Sequence, residues 1–374
     1  MRNLAQRAGR ITVMLTLVLL GGLLALVAAL MLMSPGKATP LLDEAGQPIP
    51  GSISEKARIT INGLEQGMFI KGRDARNPVL LYLHGGMPDY FLTQRYPTGL
   101  EEYFTVVWWE QRGSGLSYRP GMPRESVNVE QLISDALSLT DSLRRRFGQD
   151  KIYLMGHSGG TFIGIQVAAR APEKYHAYIA MEQMSHQLRS EQLAYQYMLT
   201  RFRETGDTRM AKKLEQAPVG DTIPLPAAYQ RSLRDVAMHK LGVGTTHDMR
   251  SIVTGLILES FRNREYTLGE KINLWRGKFF SRSRLWTTQL STDLSQRVTR
   301  LQIPIYFFHG RYDYTVSYPL ARAYFERLDA PLKRFYTFER SAHSPLFEEP
   351  DRMREIMLTD VLAHGNGLAD HERS

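Results

Sequence analysis

The chain of 374 residues contains no cysteine. That absence removes disulfides, thiolate metal sites and cysteine nucleophiles together. It leaves the redox compartment open, because an exported protein can do without disulfides. No H-E-x-x-H run or comparable ligand cluster occurs, so no metal site is expected and no cofactor is required. The net charge is +9, yet no tract of clustered lysine and arginine is interleaved with aromatics, and nucleic acid is not an expected partner. Three arginines in the first segment leave +6 for the remainder. That charge reads as scattered and solvated, with attraction to anionic lipid headgroups as a second use. Internal repeats and low-complexity tracts are also missing. What remains is an ordinary globular composition, 43% hydrophobic, in a chain long enough for one large domain or a domain with an insertion.

The first 36 residues stand apart. Arg2, Arg7 and Arg10 precede an uncharged run from Ile11 to Met33. A bilayer-crossing helix needs about 20 residues, and a cleaved signal has an apolar region of only about 7 to 15 ending at small residues. This run is longer and ends in Met31-Leu32-Met33, so it reads as a retained transmembrane anchor. The preceding arginines favour a cytoplasmic N-terminus, which places the main domain in the exterior or periplasm. Residues 37–54 are rich in Pro, Gly and Ser and read as a linker.

Beyond the linker, apolar runs recur at Ala57–Ile61, Gly67–Ile70, Val79–Leu83, Thr105–Trp109, Ile152–Met155 and Ala177–Met181. Helical patterns separate the later ones, as at Val129–Phe147. Alternation of this kind argues for a mostly parallel sheet with helices on both faces. It stops over residues 183–297, where only amphipathic helical segments appear, such as Leu193–Phe202 and Leu233–Leu241. It resumes at Ile303–Phe308, a helix near Tyr318–Leu328, a strand at Arg334–Phe338 and a helix near Asp351–Leu362. The expected layout is an α/β core over 55–182 and 298–365, an inserted helical cap over 183–297, and a tail over 366–374.

The chemistry centres on Gly156-His157-Ser158-Gly159-Gly160. A G-x-S-x-G pattern between a buried strand and a helix puts a serine on a sharp turn, its hydroxyl exposed above the sheet. Such a serine needs an adjacent base oriented by a third group. On this architecture the acid and the histidine follow the serine in that order. Asp313 lies just past one later strand and His343 just past the next, at the carboxyl ends where ligands bind in open α/β sheets. Asp329 and Asp351 are less well placed acids. His84, His157 and His309 compete for the base role, but each sits at a strand end with a structural task. For the oxyanion, the N–H of Gly159 and that of Gly86, in the loop His84-Gly85-Gly86-Met87-Pro88, are the expected donors, with Met87 the alternative to Gly86. His247-Asp248 reads as a helix start capped by Thr245 or Thr246.

Together HGGMP, WWEQRGSGLS, GHSGG, GRYD and SAHS resemble the α/β-hydrolase superfamily, and within it the proline iminopeptidase branch. The resemblance spans about residues 55–182 and 298–362. It implies Ser158 as nucleophile, His343 as general base and acid, and Asp313 as its orienter, with Gln111-Arg112-Gly113 a structural loop beside the site. The branch carries HGGPG and DQRG; here the loop is HGGMP and the acid is Glu110. The branch also holds its substrate's free amine with acidic cap residues. No cap motif matches, which leaves Glu182 and Glu259 as the candidate substrate-binding carboxylates. Haloalkane dehalogenases and epoxide hydrolases of the superfamily attack with aspartate, which Ser158 disfavours. Three functions follow: an aminopeptidase on short peptides, an esterase or lipase-like enzyme suited by apolar cap residues (Met198, Phe202, Leu256, Ile257, Leu258), and a non-catalytic binder.

Overall fold

The computed structural model describes residues 2–370, with side chains from residue 9 onward. The tail positions 371–374 lie outside the described residues. Eight strands form one sheet: β1 (Ile53–Ile61), β2 (Leu64–Gly72), β3 (Val79–Leu83), β4 (Thr105–Glu110), β5 (Ile152–His157), β6 (Tyr175–Met181), β7 (Ile305–Gly310) and β8 (Lys333–Phe338). Their order is β1-β2-β4-β3-β5-β6-β7-β8. Only the pairings of β2, with β1 and with β4, are antiparallel. From β4 to β8 the sheet is parallel, and these strands are apolar almost throughout because both faces are covered.

Each apolar run of the sequence falls on one strand. β1 and β2 extend further because their outer halves are partly exposed and carry polar residues such as Ser54, Glu55 and Lys56. On one face pack α2 (Val129–Phe147), α3 (Gly159–Arg170) and α10 (Tyr318–Arg327), burying Ile133, Leu139, Ile165 and Tyr324. Asn128 caps α2 by accepting from Gln131 N, and Gly148 ends it in the left-handed region at φ 63°. The other face packs Tyr82, Trp108, Phe308 and Tyr336 against α11 (Pro350–Ile356).

Between β6 and β7 the described chain is helical: α4 (Gln187–Glu204), α5 (Thr208–Glu215), α6 (Arg234–Leu241), α7 (Leu258–Arg262), α8 (Leu268–Ser291) and α9 (Leu294–Arg297). This segment is called the cap below. It has its own apolar centre, with Met198, Phe202, Leu214, Tyr229 and Met238 almost fully buried. Thr267 and Glu270 form a reciprocal capping box at the start of α8.

The N-terminal helix α1 (Arg2–Leu32) is apolar over Gly9–Leu32, with a mean hydropathy of 2.7 and none of that stretch buried. By length and composition it can cross a membrane. The stretch after it does not run free as expected of a linker. Lys271 of α8 donates to Met33 O (3.1 Å), Ser34 Oγ (2.8 Å) and Phe261 O (2.7 Å). Gly36 N donates to Arg264 O, and Glu265 accepts from Thr39 N while pairing with Lys71 at 2.6 Å. Backbone polar groups of a Pro/Gly-rich stretch need partners wherever they meet protein, and the α7–α8 corner supplies them.

Candidate active site

The turn from β5 into α3 explains its glycines sterically. Ser158 sits at φ 53°, ψ −122°, a conformation that costs a non-glycine residue roughly 1–3 kcal/mol. A Cβ on Gly160 would run into the carbonyl oxygen of Leu83, and one on Gly156 would come within 2.9 Å of Gly160 O. Neither can be larger than glycine without moving backbone. Ser158 N donates to Met181 O at 3.0 Å, which ties the strained turn to β6. The loop His84-Gly85-Gly86-Met87-Pro88 lies directly above: a Cβ on Gly85 would meet Ser158 Cβ at 2.9 Å, whereas Gly86 faces open space.

Asp313 and His343 meet as their order in the chain implied. His343 Nδ1 lies 2.8 Å from Asp313 Oδ2, and Asp313 Oδ1 accepts from Thr315 N (2.7 Å) and Val316 N (3.1 Å). Burial alone would raise the Asp313 pKa; the charge and hydrogen bond of His343 outweigh it, and the carboxyl is held well below its ordinary range. An ionised Asp313 requires the proton on His343 Nδ1, which leaves Nε2 as the acceptor. Burial pushes the His343 imidazole below its ordinary pKa, with Asp313 opposing in part, so the neutral base persists at neutral pH.

The competing histidines have other work. His157 places Nδ1 3.0 Å from Asp89 Oδ2 and Nε2 2.7 Å from the carbonyl of His343, which braces that residue from behind. His84 accepts from Gln111 N at 3.1 Å, and Gln111 Nε2 donates to His84 O at 2.8 Å. His309 is fully buried beneath Asp313, and desolvation lowers its pKa to about 4. Arg112 makes a buried bidentate pair with Asp135, at 2.6 and 3.0 Å. The QRG loop is thus pinned to α2 and to His84 of the HGGMP loop.

Ser158, His343, Gly86 and Gly159 all line one cavity of about 220 Å³ between the carboxyl ends of the strands and the cap. The two expected substrate carboxylates are not brought to it. Glu182, at φ 56°, is fully buried under the site: its Oε1 accepts from Gly310 N at 2.8 Å and its Oε2 lies 2.8 Å from His309 Nε2. Burial and the neighbouring Asp313 charge push its pKa well up, so it is held as a neutral acid. Glu259 instead pairs with Arg95 (2.6 Å) and Arg262 (2.7 Å) away from the cavity wall. No helix starts at His247-Asp248 either: Thr246 Oγ1 accepts from Met249 N across a bend, and the His247 ring stacks on Tyr312. Of the five apolar cap residues expected to suit lipid, Leu256 alone lines the cavity; Met198 and Phe202 fill the cap's own centre.

The sequence reading missed residues that the fold does bring to the cavity. Asp89, directly after HGGMP, lines it and keeps one buried carboxylate oxygen, Oδ1, without a partner. Lys278, Arg282, Trp286 and Gln289 line it from one face of α8. Their steps of four, four and three residues are a same-face helical spacing, a signal present in the sequence but masked by the similar charge on the solvent side of that helix.

Known proteins place the fold in a family. The sequence pattern of the α/β hydrolase fold matches residues 78–350. The chain belongs to that family. A protein named as a probable aminopeptidase, YbaC of Bacillus subtilis strain 168, is 30% identical over 303 residues, spanning 80% of this chain and 93% of that protein. In three dimensions the proline iminopeptidase of Mycobacterium smegmatis superposes with a TM-score of 0.60 at 12% identity, over 81% of this chain and 96% of its own. The crystal structure of VinJ gives 0.59 at 19% identity, over 83% and 98%. At these identities the two structures speak for the fold alone.

Proposed function

We propose that this α/β hydrolase is a membrane-anchored serine hydrolase of the aminopeptidase type. Ser158 attacks the substrate carbonyl while His343 Nε2 takes its proton, and Asp313 holds the imidazole in the reactive tautomer. The Gly86 and Gly159 N–H groups receive the oxyanion, Gly159 from a helix N-terminus whose first N–H groups lack intrahelical partners. His343 then protonates the leaving amine, and water, deprotonated by the same imidazole, releases the acyl group. The observation that carries this reading is the convergence of a strained Ser158 and a buried Asp313–His343 pair on one cavity. The aminopeptidase assignment rests on the likeness to YbaC. It is supported by Asp89, whose unpartnered Oδ1 is the acceptor that a substrate ammonium needs beside the oxyanion loop, a role the sequence reading gave to Glu182 and Glu259.

An esterase is the second reading, favoured by nothing more specific than the same triad; the non-catalytic binder has no support from a site so fully equipped. The deciding assay sets a prolyl-amide chromogenic substrate beside short-chain esters, for the wild type and Ser158→Ala. Amide turnover lost in the variant supports the aminopeptidase. Turnover of esters alone moves the assignment to esterase, and equal rates in both proteins dismiss Ser158.

In the same proposal α1 spans the membrane with its arginines in the cytoplasm, and the core over 55–182 and 298–365 with its cap over 183–297 lies on the other side. Resistance of the full chain to alkaline extraction from membranes, with residues 1–33 retained in the mature protein by mass spectrometry, tests the anchor. Protease accessibility of the cap in intact cells with a permeabilised outer layer tests its side.

A further inference from the structure

We infer that the cap face of the cavity is a carboxylate-binding subsite, formed by Lys278 and Arg282, and that the substrate is a short peptide bearing a free carboxylate on its leaving side. The inference rests on the aminopeptidase reading and specifies its substrate.

Charged groups around the cap wall do not balance. Arg234 is answered by Glu191, with Nε to Oε2 at 2.7 Å and Nη2 to Oε1 at 2.7 Å, and by Asp235 at 3.1 Å. Asp235 stays ionised, its pKa lowered to about 2, because the neighbouring Arg234, Lys278 and Arg282 overcome its burial. That triplet of Glu191, Arg234 and Asp235 leaves one negative charge for two further cations. Among the described residues neither Lys278 nor Arg282 makes an ion pair within 4 Å or a hydrogen bond to any acceptor. Each instead rests on an aromatic ring, Lys278 over Trp275 at 5.3 Å and Arg282 over Trp286 at 5.1 Å. Both are partly buried in the cavity wall, and burial lowers the pKa of both, as expected of cations stripped of part of their water and given no full counter-charge. The Trp286 indole N–H, on the same helix face, is buried without an acceptor as well. His239, also in the wall, is held toward its neutral form by burial and supplies no anion.

Such a wall has donors to spare and lacks acceptors. A carboxylate fits it: two oxygens, one negative charge, and hydrogen bonds to cations stronger than those between neutral groups. The same helix face sets the distance. Gln289 Nε2 approaches the nucleophile turn, 3.3 Å from where a Cβ on Gly159 would stand. Arg282 and Lys278 lie two and three turns earlier, about 10 and 16 Å along the helix axis at 1.5 Å per residue. Extended peptide covers about 3.4 Å per residue, so the carboxylate belongs about three residues beyond the one whose carbonyl is attacked, at the C-terminus of a tetrapeptide or, with the long side chains reaching back, a tripeptide. Charge at that place on the acyl side would need an acyl chain running away from Asp89.

The test compares kcat/KM for Pro-Ala-Ala with that for its C-terminal carboxamide, in the wild type, Lys278→Met with Arg282→Met, and Arg284→Met as an exposed control on the same helix. A charged hydrogen bond is worth enough to give a preference of about tenfold or more for the free acid. The expected result is that preference, expressed mainly in KM, abolished in the double variant and kept in Arg284→Met. A wild type that treats acid and amide alike overturns the inference, as does a preference that survives the double variant. A parallel pair, the p-nitrophenyl esters of monosuccinate and butyrate, places the carboxylate on the acyl side; a larger preference there refutes the leaving-side placement.

Should the double variant not fold, inhibition of p-nitrophenyl butyrate hydrolysis by acetyl-Ala-Ala against acetyl-Ala-Ala-amide in the wild type decides the same question without it: stronger inhibition by the acid upholds the subsite, and equal inhibition removes it. Failure of the aminopeptidase reading shows separately, as absence of turnover on every peptide. In that case calorimetric titration of Ser158→Ala with acetyl-Ala-Ala and its amide decides the subsite alone, tighter binding of the acid supporting it and equal binding refuting it.

Discussion

The two halves of the candidate active site are built on different principles. Below the cavity, the sheet fixes the proposed reactive groups with backbone. Gly160 and Gly156 have no room for a side chain, Ser158 is forced to positive φ, and Asp313 is held by two backbone N–H groups. Above it, the cap presents long side chains, Lys278, Arg282 and Gln289, from one helix face. Backbone geometry tolerates almost no substitution, so the lower half is suited to chemistry that does not vary. Side chains on a helix can be exchanged one at a time at little cost to folding, so the upper half is suited to choosing a substrate. Under the proposed function, reaction and selectivity would be carried by separate materials and be separately breakable.

The sharpest way to break the lower half is Ser158→Ala. Turnover is expected to fall by about 10⁴–10⁶-fold, with thermal stability kept or raised because alanine has no hydroxyl to orient; a steady-state assay with a calorimetric scan checks both. Asp313→Asn should cost about 10³–10⁴-fold in kcat by releasing the reactive tautomer. Its buried neighbour Glu182, already a neutral acid, should tolerate Glu182→Gln with a loss under about tenfold. Near-equal losses would mean that the two carboxylates share the role. Gly160→Ala attacks the same half through its backbone: the added methyl group displaces β3 or α3 and destabilises the fold by about 3 kcal/mol or more, read as a fall in the denaturation midpoint.

A pH profile sharpens the comparison without mutation. The His343 pKa is depressed, so its base form survives below the ordinary 6.5 and is lost only when pH falls through the lower folded value. The acid limb of kcat/KM on a neutral ester should therefore have its midpoint below 6.5; a midpoint above 7 would remove His343 as the base. The smallest effect is expected at the cap's rim. Glu259→Gln loses ion pairs to half-exposed arginines and should change stability by less than about 1 kcal/mol and leave KM unaltered.

The same division explains what could be read from the sequence. The eight strands were visible because each is a short apolar run, and α2 was visible from end to end because its face repeats every three to four residues and Gly148 stops it. Ser158, Asp313 and His343 were visible because strand ends, turn glycines and chain order are local properties, and the sheet brings local signals to one edge. The cap offered no such rule. Glu182 looked like a pocket carboxylate because it ends a strand, yet its left-handed backbone turns it under the sheet, where Gly310 N–H and His309 receive it. Glu259 sits in an apolar stretch, but two arginines distant from the cavity take it up. Asp89 was passed over because it resembles a turn residue, and only the fold shows one of its oxygens left over. Long polar side chains take their meaning from what they meet across the fold, and that information is non-local.

The clasp of Lys271 on Met33 and Ser34, with Gly36 on Arg264, bears on how the enzyme would search for substrate. A flexible tether of about 18 residues would let a catalytic domain wander over roughly 20–25 Å from its anchor. With the chain after α1 stitched to the α7–α8 corner, that leash is drawn in to almost nothing. With α1 in the membrane as proposed, an enzyme so moored would sample a thin layer at a fixed height and in a restricted range of orientations, and it would meet what diffuses along that layer rather than what fills the volume beyond. Its encounter rate would then depend on how its substrates distribute between surface and bulk, and a truncated chain beginning at Ser34 would keep its chemistry while losing that geography.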